Sequence, residues 1–163
     1  MKHSDRRILT THVGSLPRER ELSDLLIADE AGESVDPERL DELAAAGVRH
    51  CVAMEVDAGI DVINDGEQPR VGFQTYVAQR LDGFGGVSER DAFRDFADHP
   101  DFAEMWARRL MITSKVFDAP AADSDVSYKD LAPARRECDM FDAALSDHVG
   151  DYEETFMTAA SPG

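Results

Sequence analysis

Two short loops carry the residues best suited to chemistry, because each follows an apolar run that reads as a buried strand. The first loop contains Gly14 and Ser15, whose exposed backbone N–H groups and hydroxyl suit a bound carboxylate. The second contains Asp65 and Glu67, which suit an ammonium group, a metal ion or the role of a base. Because ligands bind at the carboxyl ends of parallel strands, both loops are candidates for one site.

Each loop also has a purely structural interpretation. A Gly-Ser pair is common in simple turns, and the acidic loop could be a solvated segment whose carboxylates pair with Arg70. His12, in the first loop, suits an acid–base group or a metal ligand, but equally a hydrogen-bonding scaffold residue. Residue types alone leave these alternatives open.

The segments around the loops alternate between strand and helix patterns, which is typical of an α/β fold. Asp36 is a good helix N-cap, Pro37 suits the first helical position, and Gly59 suits the position just after the helix. We expect strands at residues 8–11, 60–64, 111–117 and 154–160, helices at 19–28, 36–57 and 129–148, an amphipathic segment at 71–81, helical pieces within 90–110, a flexible break at 83–86 and a loop at 118–127.

The composition indicates one acidic domain. The chain has 163 residues, 42% of them hydrophobic, and a formal net charge of −17. This length suits one domain with an apolar core, and so negative a protein is unsuited to binding nucleic acid. No apolar run reaches the roughly 18 residues of a membrane span, and no signal-peptide core is present. We therefore expect a cytoplasmic protein.

The charged residues and the cysteines add two expectations. Lysine occurs only at Lys2, Lys115 and Lys129, and an acidic surface so poor in lysine is typical of salt-adapted proteins as well as of ordinary acidic enzymes. Unfolding measured in low and in molar salt separates the two. Cys51 and Cys138 lack CxxC spacing and sit in helical patterns, which predicts two small core thiols rather than a zinc site.

Three ordered segments carry a family resemblance. They are residues 8–18 (ILTTHVGSLPR), residues 58–67 (AGIDVINDGE) followed by Tyr76 and residues 80–84 (RLDGF), and residues 156–163 (FMTAASPG). In this order they resemble the opening strand and loop, the Gly-Glu strand and loop, and a later strand of the catalytic barrel of cobalamin-independent methionine synthases and their shorter relatives. The resemblance covers most of the chain and is poor over residues 89–128.

The resemblance implies a fold and a set of site residues. The fold would be α/β, a partial (β/α)8 TIM barrel of the first three or four βα units. Residues 1–163 would form the N-terminal part of the barrel, with no second domain. By position, Val13, Gly14, Ser15 and Glu67 would hold the amino acid part of homocysteine, and His12, Arg18 and Asp65 are further candidates for the substrate pocket. A histidine at position 12 favours the shorter relatives, since the long synthases have threonine there.

The resemblance also implies an activity. The family transfers a methyl group from a methylated folate-type donor to homocysteine or another thiol, in methionine biosynthesis, without cobalamin. By family, the enzyme would be a 5-methyltetrahydropteroyltriglutamate–homocysteine S-methyltransferase. Zinc binds the thiol as thiolate and makes it nucleophilic at neutral pH. The partners would be a small thiol or amino acid substrate, with no nucleic acid and no membrane.

One departure from the family pattern limits this expectation. The family's zinc ligands include a His-x-Cys pair, and the sequence contains none. We therefore expect no metal ligands and assign no catalytic residue in this chain, which would be inactive alone and active only when a second chain completes the barrel. Two alternatives are a non-catalytic amino-acid-binding half-barrel and a subunit of a split enzyme. A barrel decarboxylase of the uroporphyrinogen type has only fold analogy behind it.

Overall fold

The computed structural model of the chain describes residues 2–85, 98–110 and 120–159. The chain divides into two compact units. The first unit comprises Met1–Val71 with Leu131–Gly163, and the second comprises Gly72–Asp130. Within the described ranges, no helix is both long enough and apolar enough to cross a membrane. The expectation of a single domain over residues 1–163 stays a prediction.

The first unit begins with two helices, α1 (Arg20–Glu30) and α2 (Pro37–Asp57). The predicted start of α2 is confirmed, because the Asp36 carboxylate accepts hydrogen bonds from the backbone N–H groups of Glu38 and Arg39. The predicted end is confirmed as well, since Gly59 adopts a φ of 71° just after the helix. The helix buries a stripe at helical spacing: Ala44, Val48, Cys51, Val52 and Glu55.

Three parallel segments form the sheet of this unit. Strand β1 (Val62–Ile63) pairs with Thr11 on one side, and on the other it pairs with a later strand, Glu154–Thr155. The predicted strands are thus in the right places, but their regular pairing is shorter. Carboxylates take over where the pairing ends, because Asp61 accepts from the Thr10 backbone N–H. At the other end of β1, the backbone N–H of Asn64 donates to Glu55.

The core of the first unit lies between the sheet and the helices. Helix α5 (Ala132–Leu145), followed by a short 3-10 helix (Ser146–His148), packs against α2. One apolar cluster joins these helices to β1: Val48, Val52, Ile63, Phe141, Ala144 and Leu145. A second cluster joins α1 to α2 through Leu22, Leu26 and Ala44. Burial of these side chains holds the sheet ends in place, at about 25 cal/mol per Å² of apolar surface.

The second unit contains α3 (Phe73–Arg80), β2 (Leu81–Gly85), α4 (Pro100–Leu110) and β3 (Ala121–Tyr128). Strands β2 and β3 form an antiparallel ribbon, with an irregularity between Asp82 and Phe84. Gly83 lies at this irregularity with a φ of 90°, and a Cβ there would lie 2.6 Å from the Asp125 carbonyl oxygen. This close approach of the two backbones requires glycine. We number the first unit's second strand, Glu154–Thr155, as β4.

The second unit corrects two expectations. The predicted flexible break at 83–86 is wrong as far as Gly85, because those residues belong to β2. The predicted loop at 118–127 is wrong from Ala121 onward, because that segment is β3. Almost every residue of β3 is exposed, so the strand shows no apolar alternation that a sequence pattern could reveal. The predicted strand at 111–117 lies outside the described residues.

Parallel strands joined through helices make the first unit a mixed α/β structure. This architecture is compatible with part of a (β/α) barrel. A complete barrel is a matter for proposal.

Candidate functional site

The candidate site lies where the three parallel segments of the first unit end. The chain runs from Thr11 to Ser15, from β1 to Glu67, and from β4 to Thr158. The Ser15 hydroxyl donates to Oε2 of Glu67 over 2.5 Å, and the Thr158 hydroxyl donates to Oε1 over 3.1 Å. Three strand ends that are far apart in sequence therefore converge on one carboxylate, as parallel α/β folds arrange their binding groups.

The backbone at Glu67 adopts an uncommon conformation. Its φ is 55°, and among the described residues it is the one non-glycine residue with positive φ. This left-handed conformation costs a non-glycine residue about 1–2 kcal/mol. Two hydrogen bonds hold it: the Glu67 N–H donates to Oδ1 of Asp65, and the Glu67 carbonyl accepts from Arg18. Such strain concentrates at functional positions, which makes Glu67 the leading candidate for a binding residue.

A buried polar network supports the acidic loop from below. The Glu55 carboxylate accepts from the backbone N–H of Asn64 over 2.8 Å and from its side-chain amide over 3.2 Å. The same amide donates to the carbonyl of His12, so Asn64 joins the two loops. Burial raises the pKa of Glu55, partly offset by the N–H of Asn64. Glu55 thus orients Asn64, which fixes the distance between the loops.

Asp65 points into the protein, away from the role of a solvated loop residue. It is 1% exposed and forms a forked ion pair with Arg70, with N–O distances of 2.7 and 2.5 Å. Arg70 also donates to Glu137 on α5 over 2.8 Å. Burial opposes the charge of Arg70, but the two carboxylates together raise its pKa. The interpretation of the loop as a solvated segment is therefore wrong, although its pairing of a carboxylate with Arg70 is confirmed.

Arg18 connects the first loop to the second through the backbone. Its guanidinium donates to the carbonyl oxygens of Glu67 and Gln68, over 2.7 and 3.2 Å, and also to the carbonyl of Arg70. Burial lowers the pKa of Arg18, although the charge of Glu67 opposes this effect. With its donors directed at three successive turns of the loop, Arg18 positions the backbone that presents Glu67.

The remaining residues of the first loop surround Ser15. The ring of His12 is half-buried, and its Nε2 lies 2.7 Å from the Gly14 carbonyl oxygen. Val13 is 69% exposed. Gly14 has a φ of 109°, and a Cβ built there would touch nothing within 4 Å. Gly14 is therefore required by its backbone angle rather than by a close neighbour, and the loop stays open to solvent.

The described part of the chain offers no metal centre. No group of three or more His, Cys, Asp or Glu side chains in residues 2–85, 98–110 and 120–159 could hold an ion. Cys51 is buried against Gly66, and burial raises the pKa of its thiol to about 11. The prediction of two core thiols is wrong for Cys138, which is exposed beside Met157. The residues described here therefore do not fit a bound zinc ion.

The sequence interpretation missed three members of this site: Glu55, Glu137 and Thr158. Glu55 and Glu137 lie in helices whose patterns indicate packing, and nothing local marks their distant partners. Thr158 did carry a signal, because it follows a predicted strand within the FMTAASPG segment. Applying the strand-end rule to this third segment would have found it.

Comparison with known families agrees with the position of the loops. The model of the family described as cobalamin-independent synthase, catalytic domain, matches residues 8–95, which is more than half of the chain. The chain belongs to this family. The matched range contains Ser15 and Glu67 but ends before Thr158, so the third contact of the site lies outside it. The family is cobalamin-independent by description, consistent with the expectation of no cobalamin.

One curated relative carries an enzyme name. The chain is 33% identical over 75 residues to the 5-methyltetrahydropteroyltriglutamate–homocysteine methyltransferase of Corynebacterium efficiens. The aligned region is 46% of this chain and 10% of the relative. The chain thus corresponds to about a tenth of that protein, and the relative's activity does not transfer to it as an established property.

Proposed function

We propose that this chain supplies the amino-acid-binding part of a thiol methyltransferase site. The reaction would be transfer of a methyl group from a methylated folate-type donor to homocysteine or another thiol. The observation that carries the proposal is the Glu67 carboxylate, held between Ser15 and Thr158 at the ends of parallel segments. Membership in the cobalamin-independent synthase family supports the choice of reaction.

The charge of Glu67 suits the ammonium group of an amino acid. Glu67 is 7% exposed, and no Lys, Arg or His in the described ranges forms a salt bridge with its carboxylate. Arg18 directs its donors to backbone carbonyls instead. A buried carboxylate without an ionic partner favours a cationic ligand, since pairing recovers part of the desolvation cost. Val13, Gly14 and the backbone around Ser15 would face the rest of the amino acid.

Activation of the thiol requires groups beyond those described. In this family zinc would supply it, by binding the substrate sulfur as thiolate. The described residues form no zinc site, and the sequence has no His-x-Cys pair. We propose that residues outside this sequence, in a longer chain or in a second polypeptide, supply the metal centre and complete the barrel. The protein would act in the cytoplasm, without nucleic acid or membrane as a partner.

Calorimetry with the whole chain tests the binding part of the proposal. L-methionine and L-homocysteine, titrated without zinc, should each bind at one site. Glu67→Gln should weaken binding by about ten- to hundredfold, because a hydrogen bond to a charged group contributes about 1.5–3 kcal/mol. Glu33→Gln makes the same chemical change on an exposed turn and should leave the affinity unchanged. Equal affinity in wild type and Glu67→Gln would remove Glu67 from the site.

Reconstitution tests the catalytic part. The chain is mixed with a C-terminal half-barrel of the family, zinc, a methylated folate and homocysteine, and methionine is measured. Activity that depends on both halves and is lost in Glu67→Gln supports the methyltransferase proposal. A folded mixture that binds methionine but forms none from homocysteine supports a second candidate instead, a non-catalytic amino-acid-binding protein. The absence of a metal cluster among the described residues favours that second candidate for the chain by itself.

A further inference from the structure

We propose that Ser15, Glu67 and Thr158 together form a cage of acceptor oxygens for a primary ammonium group. This inference rests on the proposed amino acid site and changes the role of Ser15 within it. The residue types suggest that the Ser15 hydroxyl donates to the substrate carboxylate. The geometry points to the opposite polarity, in which Ser15 and Thr158 accept hydrogen bonds from the substrate ammonium.

The argument begins with the hydroxyl protons. An ionised carboxylate has only lone pairs, so a hydroxyl bonded to it must be the donor. Ser15 gives its single hydroxyl proton to Oε2 of Glu67, and Thr158 gives its proton to Oε1. Each hydroxyl then presents only lone pairs in every other direction. The exposed side of the trio is therefore a surface of acceptors with one negative charge.

A primary ammonium matches this surface. It carries three N–H donors, and the trio offers three separate oxygen-bearing side chains. A substrate carboxylate would face lone pairs and a like charge there, so it is directed elsewhere. The backbone N–H groups of the loop at Gly14 are the suitable donors for that carboxylate. The cage thus fixes which end of the amino acid lies at Glu67.

The burial of the three residues gives the cage a direction. Ser15 is exposed, Thr158 is half-buried, and Glu67 is 7% exposed. The carboxylate therefore lies at the bottom, and the Ser15 hydroxyl lies at the rim that solvent reaches. Each residue comes from a different parallel segment, so the cage forms only when all three segments are in place. Thr158 is a ligand-contacting residue that the loops matched to the family do not include.

The test compares three ligands that share one side chain: L-methionine, 2-hydroxy-4-methylthiobutanoate and 4-methylthiobutanoate. The second replaces the ammonium by a hydroxyl, the third removes it, and all three keep the carboxylate. Calorimetry is performed with the whole chain in wild-type form and with Ser15→Ala, Thr158→Val, Thr158→Ser and Glu67→Gln. Ser146→Ala is the control, because it removes an exposed hydroxyl that bonds only its own helix.

The proposal predicts a selective loss. Ser15→Ala and Thr158→Val should each weaken methionine binding by about tenfold or more while changing the affinity for 4-methylthiobutanoate less than twofold. Thr158→Ser, which keeps the hydroxyl, should restore most of the methionine affinity. Ser146→Ala should bind all three ligands like the wild type. Thermal unfolding of each variant identifies any general loss of structure, which would weaken all ligands together.

Two other outcomes separate the cage from the proposed function. If Ser15→Ala weakens methionine and 4-methylthiobutanoate equally, Ser15 donates to the carboxylate and the cage is wrong, while amino acid binding stands. Unchanged methionine affinity in Thr158→Val, with loss in Glu67→Gln, likewise overturns the cage alone. If the folded wild type binds no methionine and no homocysteine, the proposed function itself fails.

Discussion

Two carboxylates separated by one residue in the same loop have opposite environments. Asp65 is sealed inside the first unit, where Arg70 neutralises it through two short hydrogen bonds. Glu67 is held by the hydroxyls of Ser15 and Thr158, and no described cation forms a salt bridge with it. The left-handed backbone at Gly66 and Glu67, with φ values of 61° and 55°, separates the two directions.

This difference distinguishes a structural charge from a charge that is available for binding. The ion pair of Asp65 is complete within the protein, so it can hold the loop but has little left for a ligand. The hydroxyls at Glu67 orient the carboxylate without neutralising it, and they keep its charge beside an exposed rim. The inward side of the loop should therefore govern stability, whereas the outward side should govern binding.

The largest effect is expected for Arg70→Met. It leaves Asp65 and Glu137 buried without a countercharge, which should lower the free energy of unfolding by about 3–5 kcal/mol. Urea denaturation followed by circular dichroism measures this change. Arg39→Met is the matched control: Arg39 pairs with Glu21 and Glu42 on the surface and should contribute less than about 1 kcal/mol. Equal losses in the two variants would contradict a structural role of the buried pair.

Gly66→Ala should give the next largest loss, because it disturbs the turn between the two directions. The new Cβ would lie 2.7 Å from Sγ of Cys51, in a backbone conformation with positive φ. Left-handed strain and overpacking together should cost about 2–4 kcal/mol, measured by the same denaturation. Gly59→Ala has the positive φ but no neighbour within 4 Å, so it should lose only the backbone part.

A double-mutant cycle locates the steric part of this loss. Cys51→Ala removes the sulfur nearest to the new Cβ. Gly66→Ala should therefore cost less in a Cys51→Ala background than in the wild type, by at least about 0.5 kcal/mol. A strictly additive cycle would mean that the backbone angle alone excludes alanine at this position.

The sequence allowed some parts of this arrangement to be predicted because their signals are local. Asp36, Pro37 and Gly59 mark the ends of α2 through capping and turn chemistry that involves only near neighbours. The two loops with Ser15 and Glu67 follow apolar runs, and the rule for parallel strands places both at one edge. The family resemblance then identified which loop residues matter.

Other parts depend on contacts that no local pattern encodes. Arg70 meets Glu137 across 67 residues, and a glutamate on an amphipathic helix looks like a surface residue. The exposed ribbon strand β3 lacks apolar alternation, and it was predicted as a loop for that reason. Cys138 lies on the same helix as buried Phe141 but on its exposed side, where the helical pattern alone did not place it.

A third carboxylate, Asp61 before β1, tests whether a paired carboxylate always stabilises. Its hydrogen bond from Arg7, together with the backbone N–H of Thr10, holds its pKa well below the usual range. A depressed pKa contributes stability above the unfolded value of about 3.9, and that contribution declines as the pH falls below it. Wild type should therefore exceed Asp61→Asn in stability at pH 7, and the difference should shrink below about pH 4. A difference independent of pH would contradict this assignment.

The smallest change in stability is expected where the change in binding is largest. Glu67→Gln keeps the shape of the side chain, and its amide can still exchange hydrogen bonds with Ser15 and Thr158. The free energy of unfolding should therefore change by less than about 1 kcal/mol, although methionine affinity falls. Denaturation and calorimetry on the same preparation measure both quantities. If Glu67→Gln were as unstable as Arg70→Met, the outward carboxylate would be structural too, and the division of the loop into a structural side and a binding side would be wrong.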